Sequence, residues 1–121
     1  MRLRSIPVLA LATAAWLAAP AVAAGPTIHA SPATVQRGHV VRLHGRVPGC
    51  VPGDRVTLIS RAFSRRHTFA GVPAVFAPLM AGHRYAVRAR IPRTRRAGRY
   101  TVTGRCGGGN LGVAATLRVM P

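Results

Sequence analysis

A chain of 121 residues carries 18 cationic side chains, all arginine, against a single acid, Asp54, for a formal net charge of +17. One domain fits that length. A lone carboxylate excludes hydrolysis by paired carboxylates, and a charge this large repels itself in the folded state and attracts polyanions.

In chain order, Arg2 and Arg4 precede an apolar run from Ile6 to Ala19, closed by the small-residue pattern Ala21-Val22-Ala23. That layout predicts a cleavable signal helix over residues 1–23, cut near Ala23/Ala24. The run holds only about 14–15 apolar residues, short of the ~20 needed to span a bilayer. No later segment is long and apolar enough to span one, so residues 24–121 are expected to act as a secreted or cell-envelope domain.

Gly25 to Gln36 reads as an edge strand interrupted by Pro32, tolerated there because an edge needs no ladder donor. His39 to Val47 alternates, with Val41, Leu43, Gly45 and Val47 inward and Val40, Arg42, His44 and Arg46 outward. Pro48 to Asp54 holds two Pro-Gly turn signals around Cys50. Arg55 to Ser60 predicts a strand with Val56 and Leu58 inward. Between Arg61 and Ala81 the expectation is a loop or short edge strand to Val72, then a strand from Ala74 to Leu79. Arg84 to Ile91 alternates again, with Tyr85, Val87, Ala89 and Ile91 inward and Arg84, Arg88 and Arg90 outward. Pro92 to Ala97 is a basic connection containing Arg93, Arg95 and Arg96. From Ala97 to Val119 two alternating runs flank Gly107-Gly108-Gly109-Asn110, the pattern of a hairpin. About seven short strands without a helical period argue for one all-β sandwich or barrel.

The two cysteines, Cys50 and Cys106, are an even pair in a chain with an export pattern. A disulfide is the first expectation, since no CxxC spacing suggests a metal. Ser60 or Ser64 with His67 and Asp54 can be written as a triad, but no nucleophile elbow supports it, and the chain is expected to be no enzyme. His29, His39, His44, His83, Met80 and Met120 show no HxH or HxxxH spacing, so neither metal nor other cofactor is expected. Gly107 to Gly109 offers backbone N–H groups to an anion, but no helix follows it.

The stretches SPATVQRG, PGCVPGDRVTL, IPRTRRAGRYTV and RCGGGN resemble those of bacterial immunoglobulin-like domains of exported and cell-surface proteins. The resemblance covers Pro26 to Val119 and implies a seven-stranded immunoglobulin-like β-sandwich. AGRY resembles the tyrosine corner, in which Tyr100 sends its hydroxyl back to nearby backbone. In that topology the second and sixth strands run the same way, so a Cys50–Cys106 bridge would tie two loops at one pole.

The basic surface is the strongest functional signal. Arg42 and Arg46 are expected to project beside Arg84, Arg88 and Arg90 on one sheet. Arg61, Arg65, Arg66 and His67 form a second cluster. Arg93, Arg95, Arg96 and Arg99 form a third. Arginine favours bidentate contact with phosphate and carboxylate. The expected function is a non-enzymatic exported module engaging anionic envelope or extracellular polymers, including anionic lipid headgroups. The alternative is a small-molecule carrier with a cleft at the disulfide-tied pole. Nucleic acid is expected to bind only non-specifically, because Tyr85 and Tyr100 read as inward and exposed aromatics for base stacking are scarce.

Overall fold

Alternation places one side of every strand in a common core, and the computed structural model realises this with nine strands and no helix among the described residues. Those residues are 25–121 and, before them, Ser5, Pro7 and Thr13. Apart from those three, the residues of the expected signal segment, 1–23, lie outside the described residues.

The strands are β1 (His29–Ser31), β2 (Thr34–Gln36), β3 (Val40–Arg46), β4 (Arg55–Ile59), β5 (Thr68–Phe69), β6 (Val72–Pro78), β7 (Arg84–Arg90), β8 (Gly98–Cys106) and β9 (Gly109–Met120). They form a three-stranded sheet, β1-β3-β7, and a six-stranded sheet, β2-β9-β8-β4-β6-β5. The expected count of seven is corrected in two places. Pro32 divides the first strand, so that β1 pairs with β3 in one sheet while β2 pairs parallel with β9 in the other. A two-residue strand, β5, adds an edge beside β6.

The inward residues pack as read from the alternation. Val41, Leu43 and Val47 meet Val56, Leu58, Tyr85, Ile91, Val102, Leu117 and Val119, all at most 1% exposed. Phe63 joins them from the connection after β4. Close packing is sharpest at Gly45, the cross-strand partner of Tyr85. A Cβ there would lie 2.0 Å from Thr27 O and 2.8 Å from Tyr85 Oη. The absence of a side chain lets Tyr85 donate to Thr27 O at 2.8 Å. Burial pushes the Tyr85 phenol up, so it stays a donor. The Tyr100 hydroxyl donates to Arg96 O, the backbone contact implied by the AGRY motif.

Cys50 and Cys106 form a disulfide with Cα atoms 6.0 Å apart, inside the usual range. Cys50 sits in the β3–β4 loop and Cys106 ends β8, so the bridge ties two loops at one pole. On the chain-entropy model a loop of this length stabilises the fold by about 4 kcal/mol.

Candidate functional site

Strand pairing decides where the arginines go. β3 and β7 are antiparallel, with Arg42 opposite Arg88 and Arg46 opposite Arg84; Arg90 stands opposite Val40. Even-numbered positions of both strands face away from the core, so these five guanidiniums share the outer face of the three-stranded sheet. All five residues are exposed. Like charges opposite each other on one face are destabilising. A third such pair, Arg99 opposite Arg118, lies on the six-stranded sheet.

Two histidines extend the arginine face. His29 of β1 is the register partner of His44 of β3, with ring centroids 5.4 Å apart. Ser31 Oγ lies 3.4 Å from His44 Nε2. Burial, the Arg42 guanidinium and His29 together hold His44 below the ordinary histidine value. Residues His29, Arg42, His44, Arg46 and Arg84 line a shallow concavity of about 360 Å³. Around the edge, Arg66, Arg88, Arg90 and His67 line a second one of about 320 Å³.

The turn cluster behaves differently. Arg95 is half-buried and donates from Nη2 to Phe63 O at 2.9 Å, joining two loops. Its buried Nε has no partner among the described residues. Arg93 lies along Gly38, where a Cβ would meet its Cγ at 2.7 Å. Arg96 is exposed. Of the eight expected anion-contacting residues, then, Arg42, Arg46, Arg84, Arg88 and Arg90 come together. Arg93, Arg95 and Arg96 lie apart, in the β7–β8 connection.

Aromatic exposure was underestimated from the sequence. Tyr85 is in the core, but Phe69 is 38% exposed and Phe76 is half-buried. Phe76, Thr57 and Arg105 form one row across β6, β4 and β8 on the outer face of the six-stranded sheet. Arg55 Cζ lies 4.1 Å from the Phe76 ring centroid, and Arg105 Cζ lies 5.2 Å from that of Phe69. Phe76 sits opposite Thr57 in the register, out of phase with Leu58 and Val75. That phase is visible in the sequence; the pairing of β6 with β4 is not.

The concavity at the disulfide pole, lined by Cys50, Cys106, Val47 and Leu111, holds about 220 Å³. That is below the ~300–1,000 Å³ of ordinary small-molecule sites. Asp54 Oδ2 approaches Cys106 Sγ at 4.0 Å. A disulfide sulfur carries no proton, so this is contact and not a hydrogen bond. Among the described residues no group of three or more His, Cys, Asp or Glu is placed to hold a metal ion. No helix there is long and apolar enough to cross a membrane.

No protein-family model matches the chain, and no curated protein matches it. Among solved structures the fold is similar to Pseudomonas fluorescens alkylpurine DNA glycosylase AlkC bound to DNA containing an abasic site analog. The TM-score is 0.50 at 20% identity, over 78% of this chain and 29% of that one. This chain thus spans under a third of the glycosylase, and the likeness is one of fold. The expectation of a non-enzymatic exported module for envelope polymers, with a loop-pole carrier as its alternative, is corrected here. A solved structure sharing the fold is an enzyme bound to DNA. The expectation that the chain is no enzyme is overturned by the same finding.

Proposed function

We propose that this β domain binds nucleic acid through the sugar–phosphate backbone, using Arg42, Arg46, Arg84, Arg88 and Arg90. The observation that carries the reading is the pair of cross-strand arginine couples on the outer face of β3 and β7. Such an arrangement costs stability unless an anion neutralises it. Guanidiniums chelate phosphate oxygens in bidentate fashion, and backbone contacts of this kind position a protein without reading sequence. DNA in the structure that shares the fold supports the same partner class. Arg66, which lines a concavity with Arg88 and Arg90, extends the basic track.

The division of the first strand between the two sheets, and the order of the six-stranded sheet, support reading the sandwich as immunoglobulin-like. The Cys50–Cys106 bridge supports an oxidising compartment.

The test is fluorescence anisotropy of the oxidised full chain with a labelled 20-base-pair duplex across a salt series. Affinity is expected to fall steeply with salt, with a log–log slope of about −0.9 per phosphate neutralised. Arg42→Gln, Arg84→Gln and Arg88→Gln should each reduce that slope by about 1. No duplex binding at low salt, or an unchanged slope in the triple variant, would overturn the proposal.

A further inference from the structure

The outer face of the six-stranded sheet holds a cleft that the phosphate reading leaves unused, and Phe76 stands between it and the concavity of Arg88 and Arg90. It is about 480 Å³ and is lined by Asp54, Arg55, Thr57, Thr68, Phe69 and Phe76, with Gly53 and Gly107 at its rim. The volume falls within the ordinary range for a bound small planar group. Three features make it unusual in this chain. It contains two of the three phenylalanines, both outside the core. Their rings carry the guanidiniums of Arg55 and Arg105. It also contains the only carboxylate in the sequence.

Local structure holds these groups in place. β5 and β6 are joined by a two-residue turn, because Phe69 pairs with Val72. Ala70 and Gly71 both have positive φ, 50° and 81°, as a type I′ turn demands. Ala70 adopts that conformation at a steric cost that glycine would escape. Phe69 is thereby held at the rim of the cleft, over Arg105. Arg105 is anchored in turn by donating from Nη2 to Gly108 O at 3.1 Å. On the other side, Gly107 (φ 57°) leaves space for Asp54, whose Oδ2 would lie 3.2 Å from a Cβ there. Thr57, between Phe76 and Arg105, is 8% exposed beneath them.

We propose that this cleft takes an unpaired nucleobase, stacked on Phe69 and Phe76, with Asp54 accepting from a base N–H and Arg55 or Arg105 released to the flanking phosphate. This rests on the nucleic-acid reading and adds single-strand binding and a base preference to it. Each ring already stacks a planar cation, and a base takes that place once the guanidinium moves to phosphate. Aromatic stacking on bases combined with basic side chains is the common physics of single-strand binding. A carboxylate that can only accept favours bases with an exocyclic amine, as in cytosine N4–H. Thymine has no exocyclic amine, and its one ring donor, N3–H, is flanked by two carbonyl oxygens that repel the carboxylate.

The experiment compares oligo(dC), oligo(dT) and the 20-base-pair duplex with the oxidised full chain. Phe69→Ala and Phe76→Ala should each weaken oligo(dC) binding at least about fivefold, and Phe69→Ala, remote from Arg88 and Arg90, should leave duplex binding unchanged. Asp54→Asn should erase the preference for oligo(dC) over oligo(dT). Phe69→Trp keeps the stacking surface, and its fluorescence should be quenched on adding oligo(dC). Equal oligo(dC) binding by wild type and both alanine variants, with duplex binding intact, would overturn the cleft but not the arginine face. Loss of duplex binding only, with phenylalanine-dependent oligo(dC) binding retained, would overturn the arginine face and leave the cleft standing. Failure to bind any of the three probes would overturn both.

Discussion

Arg42 and Arg88 face each other across β3 and β7, two register positions from His44–Ala86 and four from Arg46–Arg84. Nothing in their strand geometry requires charge. The positions are solvent-facing, and a threonine would suit a strand as well. Directly opposed like charges cost roughly 0.2–1 kcal/mol. Arg88→Gln is therefore expected to raise the urea midpoint at low salt while weakening duplex binding. In about 0.5 M salt the stability gain should vanish, because exposed charges are screened. A variant that loses stability at low salt would show that Arg88 supports the fold instead.

Gly45 and Tyr85 give the strongest packing prediction. Gly45→Ala would drive a Cβ into Thr27 O, a backbone atom that cannot swing aside. Overpacking of this kind costs about 1–3 kcal/mol, and this contact belongs at the upper end. Tyr85→Phe removes only the bond to Thr27 O and should cost about 1 kcal/mol. Denaturant melts of both variants check the order: Gly45→Ala must be the less stable of the two.

Much of this architecture is legible in the alternation. Val41, Leu43 and Gly45 read inward, and Arg42 and Arg46 outward, because a strand has period two. The arginine face also follows from the sequence, given that β3 and β7 are neighbours. Two other features do not follow. Pro32 marks an interruption, but the transfer of the chain from one sheet to the other is a tertiary event with no local signal. Phe69 and Phe76 fall in the stretch from Arg61 to Ala81, where Pro73 and Pro78 interrupt the alternation. Only the pairing of β4 with both β6 and β8 sets Phe76 beside Thr57 and Arg105 on the outer face. Arg95 fails in the opposite direction. Its charge marks it as a surface group, whereas its guanidinium bonds the carbonyl of Phe63, a core residue.

The Cys50–Cys106 bridge closes a separation of 56 residues. The paired variant Cys50→Ser/Cys106→Ser should lose about 4 kcal/mol of stability. Arg105 and Gly107 flank Cys106, so loosening this end should also affect the Phe69–Phe76 cleft before the arginine face. Under mild reduction, oligo(dC) binding is expected to weaken more than duplex binding. Equal loss of both would indicate global unfolding.

His44 sets a pH dependence whose sign differs between stability and binding. Burial, Arg42 and His29 lower its folded pKa below the 6.5 of an ordinary histidine. The unfolded chain therefore takes up the proton first. Stability is at its full value above pH 6.5, falls as pH drops toward the depressed folded pKa, and levels off below it. A bound phosphate reverses the preference at this site, since it favours the imidazolium and offsets repulsion from Arg42. Arg46 and Arg84 line the same concavity. Duplex affinity should therefore rise between pH 7.5 and pH 5.5 over the range in which the free protein becomes less stable. His44→Gln should flatten both profiles, the stability curve by removing the unfavourable proton and the binding curve by removing the induced charge. Anisotropy and urea melts on the same samples check the opposition. Two curves moving in the same direction would mean that phosphate does not sit beside His44.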